Sequence, residues 1–256
     1  DGNGTVWGAT DQGIFRLSLP SFFSRFTPTE GLKGEVTTIL LHRGRLYVGT
    51  LHGLFRLEAT ARAFQAIPEI RQACWRLQES ISEELYAATT NGLFRISRSK
   101  VEQLSDYTTF SIAFDPVDNQ IFYTGELDGV YRLQGETHTK VTNVERAMEL
   151  KFIQGKLWAE TLYGAIFQIN EQSGVVLPLD TLQGLPSASG NKLYSAEGRA
   201  EVLSSKGMLY WDGMTRRFVT HHTALDSLIA EGVWWPGLLA QGANNSSYWV
   251  ANGEGK

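Results

Sequence analysis

The histidines and paired carboxylates of this sequence are not spaced for catalysis or metal binding. Two of the five histidines, His221 and His222, are neighbours, and adjacent residues on a strand point to opposite faces. No two histidines have the i, i+4 spacing of a helical zinc site. Glu83 and Glu84 fit a solvated turn. The sequence therefore predicts no catalytic residue, no bound metal and no cofactor.

Side chains suited to binding occur instead in short turns between strand-like segments. The residue at six equivalent turns varies among five types: Asp11, His52, Asn91, Asp128, Tyr163 and Lys206. Variation on a constant framework is typical of recognition, and drift of exposed turn residues is the alternative. Two further candidates, Arg76 and Trp235, lie in segments that we interpret as inner strands, to which Trp75 and Glu149 also belong. Ordinary core packing is the alternative for Trp235. The predicted ligand-binding residues are His52, Asn91, Asp128, Tyr163, Arg76 and Trp235.

These turns belong to a repeat of about forty residues. The clearest copies span 6–17, 46–57 and 85–96, weaker ones begin at Phe122, Leu157 and Val202, and a seventh begins at Tyr248. The glycines that follow the first six turns stand at 13, 53, 92, 129, 164 and 207, with spacings of 40, 39, 37, 35 and 43. This period is that of a four-stranded propeller blade.

Each repeat position has a physical role in such a blade. The aromatic residue before the turn can fill the wedge between blades, and the small residue two positions later lets a neighbouring backbone approach. Apolar segments before the copies are predicted to form the innermost strands, at 36–41, 73–77, 110–114, 147–153, 192–196 and 233–239. The fold class is therefore predicted to be an all-β propeller with six recognisable copies and a partial seventh. Its ring is either incomplete at both ends or closed by a borrowed strand.

Composition excludes several other classes of protein. The 256 residues carry a formal net charge of −4 and a pI of about 5.8, which does not suit a nucleic-acid-binding surface. No apolar run has the length of a membrane span, and we expect no signal peptide within these residues. The single cysteine, Cys74, allows no internal disulfide. We expect one propeller domain over 1–256, taken from a longer chain.

The repeat resembles a known bacterial family. The pattern Gly-x-Val/Leu-Trp/Tyr-x-Gly-Thr-x-x-Gly-Leu-Phe-Arg-Leu is similar to the two-component regulator propeller repeat, and residues 30–56 match it best. Residues Gly184, Leu185 and Pro186 resemble the lead-in that this family places before a blade. The later copies depart from the pattern, since the recurrent arginine is replaced by Gln168 and then by Tyr210.

This resemblance implies the extracytoplasmic or periplasmic sensor of a bacterial hybrid sensor kinase. It implies a small-molecule or oligosaccharide ligand and signalling domains further along the same polypeptide, and it leaves a homodimer open. We expect no enzymatic activity from this chain. A propeller glycoside hydrolase or polysaccharide lyase is the alternative, and a protein–protein interaction scaffold is a third interpretation, because fold alone does not decide function.

Overall fold

Short antiparallel strands make up almost all of the computed structural model. It describes residues 5–10, 13–18, 28–58, 60–97, 100–118, 120–196, 198–220, 239–241 and 248–250. In this part of the chain the only helical elements are two 3-10 turns, Pro28–Glu30 and Thr181–Gln183. The predicted all-β fold with almost no helix is thereby confirmed.

Five consecutive groups of four strands form five antiparallel sheets, which we name blades A to E. Blade A consists of β3 (Val36–His42), β4 (Arg45–Thr50), β5 (Gly53–Leu57) and β6 (Gln65–Ala66). Blade B consists of β7 (Cys74–Glu79), β8 (Leu85–Thr89), β9 (Gly92–Ile96) and β10 (Val101–Ser105). Blade C consists of β11 (Thr109–Phe114), β12 (Ile121–Glu126), β13 (Val130–Gln134) and β14 (Thr137–Thr142). Blade D consists of β15 (Ala147–Ile153), β16 (Lys156–Thr161), β17 (Ile166–Ile169) and β18 (Val176–Leu179).

Blade E consists of β19 (Lys192–Ala196), β20 (Arg199–Ser204), β21 (Gly207–Asp212) and β22 (Arg217–Thr220). Two further hairpins pair β1 (Thr5–Thr10) with β2 (Gly13–Ser18), and β23 (Leu239–Gln241) with β24 (Tyr248–Val250). Both strands of each of the six predicted hairpins are therefore observed, and the seventh copy begins with a strand. Most of the predicted inner strand 233–239 lies outside the described residues.

The first strand of each blade is the innermost one. β3 contacts β7, β7 contacts β11, β11 contacts β15, and β15 contacts β19. Because these contacts join the first strands of successive sheets, the sheets are arranged radially around a central channel. The predicted inner strands of blades A to E are therefore confirmed, with boundaries shifted by at most two residues.

Aromatic residues fill the wedges between blades, as the repeat predicts. Tyr86 of blade B packs edge-on against Phe114 of blade C, with ring centroids 5.1 Å apart. Trp158 of blade D packs edge-on against Trp211 and Phe218 of blade E. Both wedge residues are buried, so apolar packing joins blade B to blade C and blade D to blade E.

Small residues allow the inner strands to approach, also as predicted. A Cβ on Gly49 would lie 2.9 Å from the carbonyl oxygen of Cys74 in the next blade. A Cβ on Gly125 would overlap the carbonyl oxygen of Ala147. Larger residues at either position would force neighbouring blades apart.

A buried hydroxyl holds the turn between the second and third strands. Thr50 Oγ1 donates to the carbonyl of Gly53 at 3.1 Å and accepts from the His52 N–H at 3.0 Å. Thr89 makes the same two bonds in blade B, and Ser204 makes them in blade E. The backbone of these turns is therefore constant, while the turn side chains vary.

Candidate functional site

Four inner strands carry a β-bulge at the same place, close to where each strand begins. The pairing register shifts by one residue between the first two strands of blades A to D. The extra residues are Thr37, Trp75, Phe110 and Met148, and all four are partly exposed. Because a bulge re-aims the side chains around it, this repeated irregularity shapes the entrance of the channel.

Two of the bulge residues form an aromatic pair at this entrance. The rings of Trp75 and Phe110 lie 5.8 Å apart with a tilt of 57°. The indole N–H of Trp75 donates to Thr90 Oγ1 at 3.1 Å, and Thr108 Oγ1 donates to the carbonyl of Thr90 at 2.8 Å. Blades B and C thus present aromatic and hydroxyl groups side by side.

One equivalent residue on the inner strand of each blade supplies the side chains deeper in the channel. In every blade this residue pairs with the second-to-last residue of the second strand. The five residues are Thr38, Arg76, Ser111, Glu149 and Lys192. The two short hydroxyl residues bond to the next blade. Thr38 Oγ1 accepts from the N–H of Leu77 at 3.2 Å, and Ser111 Oγ donates to the carbonyl of Ala147 at 2.5 Å. The three charged residues form a cluster instead.

The cluster joins five charged side chains from three blades. Arg76 of blade B forms an ion pair with Glu149 of blade D, passing the inner strand of blade C. Lys151 Nζ lies 3.2 Å from Glu149 Oε1. Lys192 Nζ lies 2.9 Å from Glu160 Oε1. We name these residues the channel cluster: Arg76, Glu149, Lys151, Glu160 and Lys192.

The cations of the channel cluster are more exposed than its carboxylates. The side chains of Arg76, Lys151 and Lys192 are 30%, 34% and 26% exposed. Those of Glu149 and Glu160 are 8% and 6% exposed. Glu160 also accepts a bond from the backbone N–H of residue 193 at 2.7 Å. The surface that the cluster offers to a ligand is therefore cationic, with three cations against two carboxylates.

The confined position of the cluster disfavours positive charge. Burial lowers the pKa of Arg76, partly offset by Glu160. Burial, followed by the charges of Arg76 and Lys192, lowers the pKa of Lys151 from its ordinary 10.5 to about 7. Water reaches part of both side chains, but protein surrounds them on the remaining sides. Lys151 is thus the cluster residue whose charge changes near neutral pH.

Replacing Lys151 by methionine should remove a pH-dependent contribution to stability. Between about pH 7 and pH 10 the unfolded chain keeps a proton on Lys151 that the folded protein has released, since the pKa is lowered only in the folded state. The stability of the parent relative to Lys151→Met should therefore rise with pH across this window. Urea unfolding of both proteins at the two ends of the window measures the change, and an unchanged difference would contradict the lowered pKa.

The predicted turn residues lie on the face where the inner strands begin, each at the tip of its own blade. His52 is exposed, and its imidazole lies against Gly34. Asn91 is exposed, and its backbone carbonyl accepts a hydrogen bond from Gln103 Nε2 at 2.8 Å. The structure therefore places these two residues on the predicted face without joining them in one cavity.

Asp128 is held by its own blade. Its carboxylate accepts from Tyr131 Oη at 3.0 Å and from Lys140 Nζ at 2.8 Å. The hydrogen bonds from Lys140 and Tyr131 lower the pKa of this carboxyl group. Asp128 thus remains ionised and is already engaged in an ion pair.

Tyr163 is an exposed turn residue at the edge of a cleft. It is 73% exposed and borders a cleft of about 520 Å³ between blades C and D, together with Leu162 and Phe167. Among the predicted site residues, only Arg76 lies in the channel cluster, and Trp235 lies outside the described residues. The structure does not bring His52, Asn91, Asp128 and Tyr163 into contact with the cluster.

Sequence reasoning missed three members of the channel cluster. Glu160 stands where Gly49 and Gly125 occupy blades A and C, so it breaks the small-residue rule of the repeat. Lys151 and Lys192 lie within apolar segments interpreted as inner strands. A charged residue at an inner-strand or small-residue position was the signal that could have identified all three.

Within the described ranges, no three His, Cys, Asp or Glu side chains are grouped so as to hold a metal ion. No helix among these residues has the length and apolar character needed to cross a membrane. Cys74 is buried, and burial raises the pKa of its thiol to about 12. This thiol is therefore protonated at neutral pH and a poor nucleophile.

Together the radial blades and the charged channel define a β-propeller with a polar central channel. No family model and no curated protein matches the sequence. Solved structures share its fold, among them the extracellular domain of a protein described as a hybrid two-component system, BT3049 from B. thetaiotaomicron. That domain is 14% identical with a TM-score of 0.63, over 97% of this chain and 37% of the other.

Two further solved structures show the same fold in other settings. Virginiamycin B lyase from Staphylococcus aureus is 12% identical with a TM-score of 0.56, over 89% of this chain and 80% of the lyase. PorZ, a surface component of the type-IX secretion system of Porphyromonas gingivalis, is 12% identical with a TM-score of 0.52, over 85% of this chain and 30% of PorZ. The chain thus spans well under half the length of the BT3049 extracellular domain and of PorZ. At these identities the likeness establishes the propeller fold.

Proposed function

We propose that this chain is the ligand-binding propeller of a bacterial sensor protein, located outside the cytoplasm and without catalytic activity of its own. The observation that carries the proposal is the constant framework of the turns. The same hydroxyl bonds hold the turns of blades A, B and E, while the exposed residues at those turns differ. A rigid framework that presents different side chains is suited to recognition.

The sequence resemblance and the BT3049 neighbour support a sensing role. The neighbour is described as an extracellular domain of a two-component system, and the repeat pattern is similar to that of regulator propellers. Signalling would pass to further domains of the same polypeptide. Hydroxyl-rich ligands such as oligosaccharides fit the aromatic pair of Trp75 and Phe110 next to the hydroxyl groups of Thr90 and Thr108.

The lyase neighbour makes an enzyme the second candidate. In the channel cluster, however, both carboxylates are paired with cations: Glu149 with Arg76, and Glu160 with Lys192. Neither carboxylate is free to act as a general base in this arrangement. Incubation of the purified chain with oligosaccharides and with virginiamycin B, followed by product analysis, tests this point. Turnover of either would favour the enzyme.

A thermal-shift screen of oligosaccharides is the direct test of binding, since a ligand of the folded state raises its stability. With a ligand identified, Tyr163→Ala should weaken binding by more than about 1 kcal/mol, or roughly fivefold. Its melting temperature should stay the same because Tyr163 is exposed. Calorimetric titration measures the affinity.

The matched control for Tyr163→Ala is Met214→Ala. Met214 is 95% exposed in the turn after β21, at the opposite end of its blade. This variant should bind with the affinity of the parent. Equal affinity for the parent and both variants would place the site away from the turn that carries Tyr163.

A further inference from the structure

The channel cluster lies apart from the variable turns on which the proposed function rests. Its five side chains come from β7, β15, β16 and β19, so four separate strands converge on it. Purely structural polar residues at this register are short, as Thr38 and Ser111 show, and they bond to the next blade. Arg76 instead passes blade C to reach blade D.

The charges of the cluster do not balance. Glu149 is shared by Arg76 and Lys151, whereas Lys192 has Glu160 as its partner. Among the described residues of the cluster, one cation is therefore in excess while Lys151 is protonated, and an excess charge in a confined site attracts a counter-ion. Since the carboxylates are buried behind the cations, an incoming group meets N–H donors first.

We propose that the channel cluster binds an anionic group of the ligand, a carboxylate or a sulfate, through Arg76, Lys151 and Lys192. This inference rests on the proposed ligand-binding function and specifies the ligand class. A guanidinium and two ammonium groups supply the charge-assisted donors that such oxyanions need. The aromatic pair of Trp75 and Phe110 lies on inner strands of the same channel, where it can stack on an attached sugar ring.

Binding of an anion should depend on pH. Lys151 is faced by Arg76 from β7, Glu149 from its own strand, Glu160 from β16 and Lys192 from β19. An added negative charge favours the protonated form of Lys151. Affinity should therefore fall as pH rises through about 7, and binding above that pH should be accompanied by proton uptake.

The test uses glucuronate, glucose and inorganic sulfate as probes, titrated by calorimetry into the purified chain. Glucuronate should bind and glucose should not, because the two differ by the carboxylate. Sulfate that competes with glucuronate would show that the anionic group alone is recognised. Sulfate that does not compete would assign the site to a carboxylate-bearing sugar. Equal binding of glucose and glucuronate, or no binding of glucuronate, overturns the inference.

Variants with opposite expected effects separate recognition from structure. Lys151→Met and Lys192→Met should each weaken glucuronate binding at least about tenfold. Glu149→Gln should strengthen it, because a second cation is then in excess. Lys156→Met, an exposed lysine at the other end of β16, should leave it unchanged. A merely structural cluster would weaken binding in all three cluster variants or in none, and either result contradicts the proposal.

Different results would contradict the anionic-ligand inference and the proposed sensing function. A neutral oligosaccharide that binds and depends on Tyr163 would support the sensing propeller, and the absence of glucuronate binding in the same preparation would remove the anionic ligand. Binding of glucuronate that is insensitive to the lysine variants would keep the sensor and move the site out of the channel.

Discussion

Replacement of Trp158 by alanine should lower the free energy of unfolding by about 3–5 kcal/mol. The side chain is only 2% exposed and packs edge-on against Trp211, with ring centroids 5.6 Å apart, and against Phe218. Its removal leaves a cavity between blades D and E that rigid sheets cannot close. Urea unfolding measures the loss as a lower midpoint at an unchanged slope.

Trp75→Ala is the matched control, since it removes the same side chain from a partly exposed position at the channel entrance. Trp75→Ala should lower the free energy of unfolding by only about 1–2 kcal/mol. Trp158→Phe should also be milder than Trp158→Ala, because an aromatic ring stays in the wedge and the indole N–H of Trp158 has no hydrogen-bond partner among the described residues. Equal losses for Trp75→Ala and Trp158→Ala would contradict the wedge role.

Gly92→Ala should destabilise the protein by about 3 kcal/mol or more. Gly92 has a φ of +118°, which L residues rarely adopt, and a Cβ there would overlap the carbonyl oxygen of Ser105. Backbone strain and the displacement of β10 both contribute to the loss. Chemical denaturation of the variant measures it.

Two other glycines separate these contributions. Gly135 has a φ of +58°, and a Cβ added there would have no atom within 4 Å, so Gly135→Ala reports backbone strain of about 1 kcal/mol. Gly213 lies in equally open space without a positive φ, and Gly213→Ala should stay within about 0.5 kcal/mol of the parent. A loss for Gly92→Ala no larger than that for Gly135→Ala would show that the close approach to Ser105 is unimportant.

The repeat made the fold predictable from sequence. Its glycines mark positions where a side chain would overlap a neighbouring strand, as Gly92 and Gly125 show. Its aromatic residues mark the wedges, as Tyr86 and Trp158 show. These requirements recur along the chain because successive blades meet in a similar way, so the pattern is visible without coordinates even though Glu160 departs from it in blade D.

The candidate site was predictable only in part. Arg76 was identified because a charged residue stands out in an apolar segment, but its partner could not be assigned. Glu149 lies 73 residues further along the chain, two blades away. The turn residues could be placed on one face, since the hairpins of all blades end on the same side. Their distances from the channel depend on how far each blade extends from the centre.

Sequence alone was enough to establish the four-stranded repeat, the wedge residues and the face that carries the variable turns. These are properties of one blade and its immediate neighbour, which the forty-residue period encodes directly. That Arg76, Glu149, Lys151, Glu160 and Lys192 form one cluster emerged only from the packing of the blades. Radial packing brings the inner strands of separate blades to a common channel. Long charged side chains can then meet there across blades that are not adjacent in sequence.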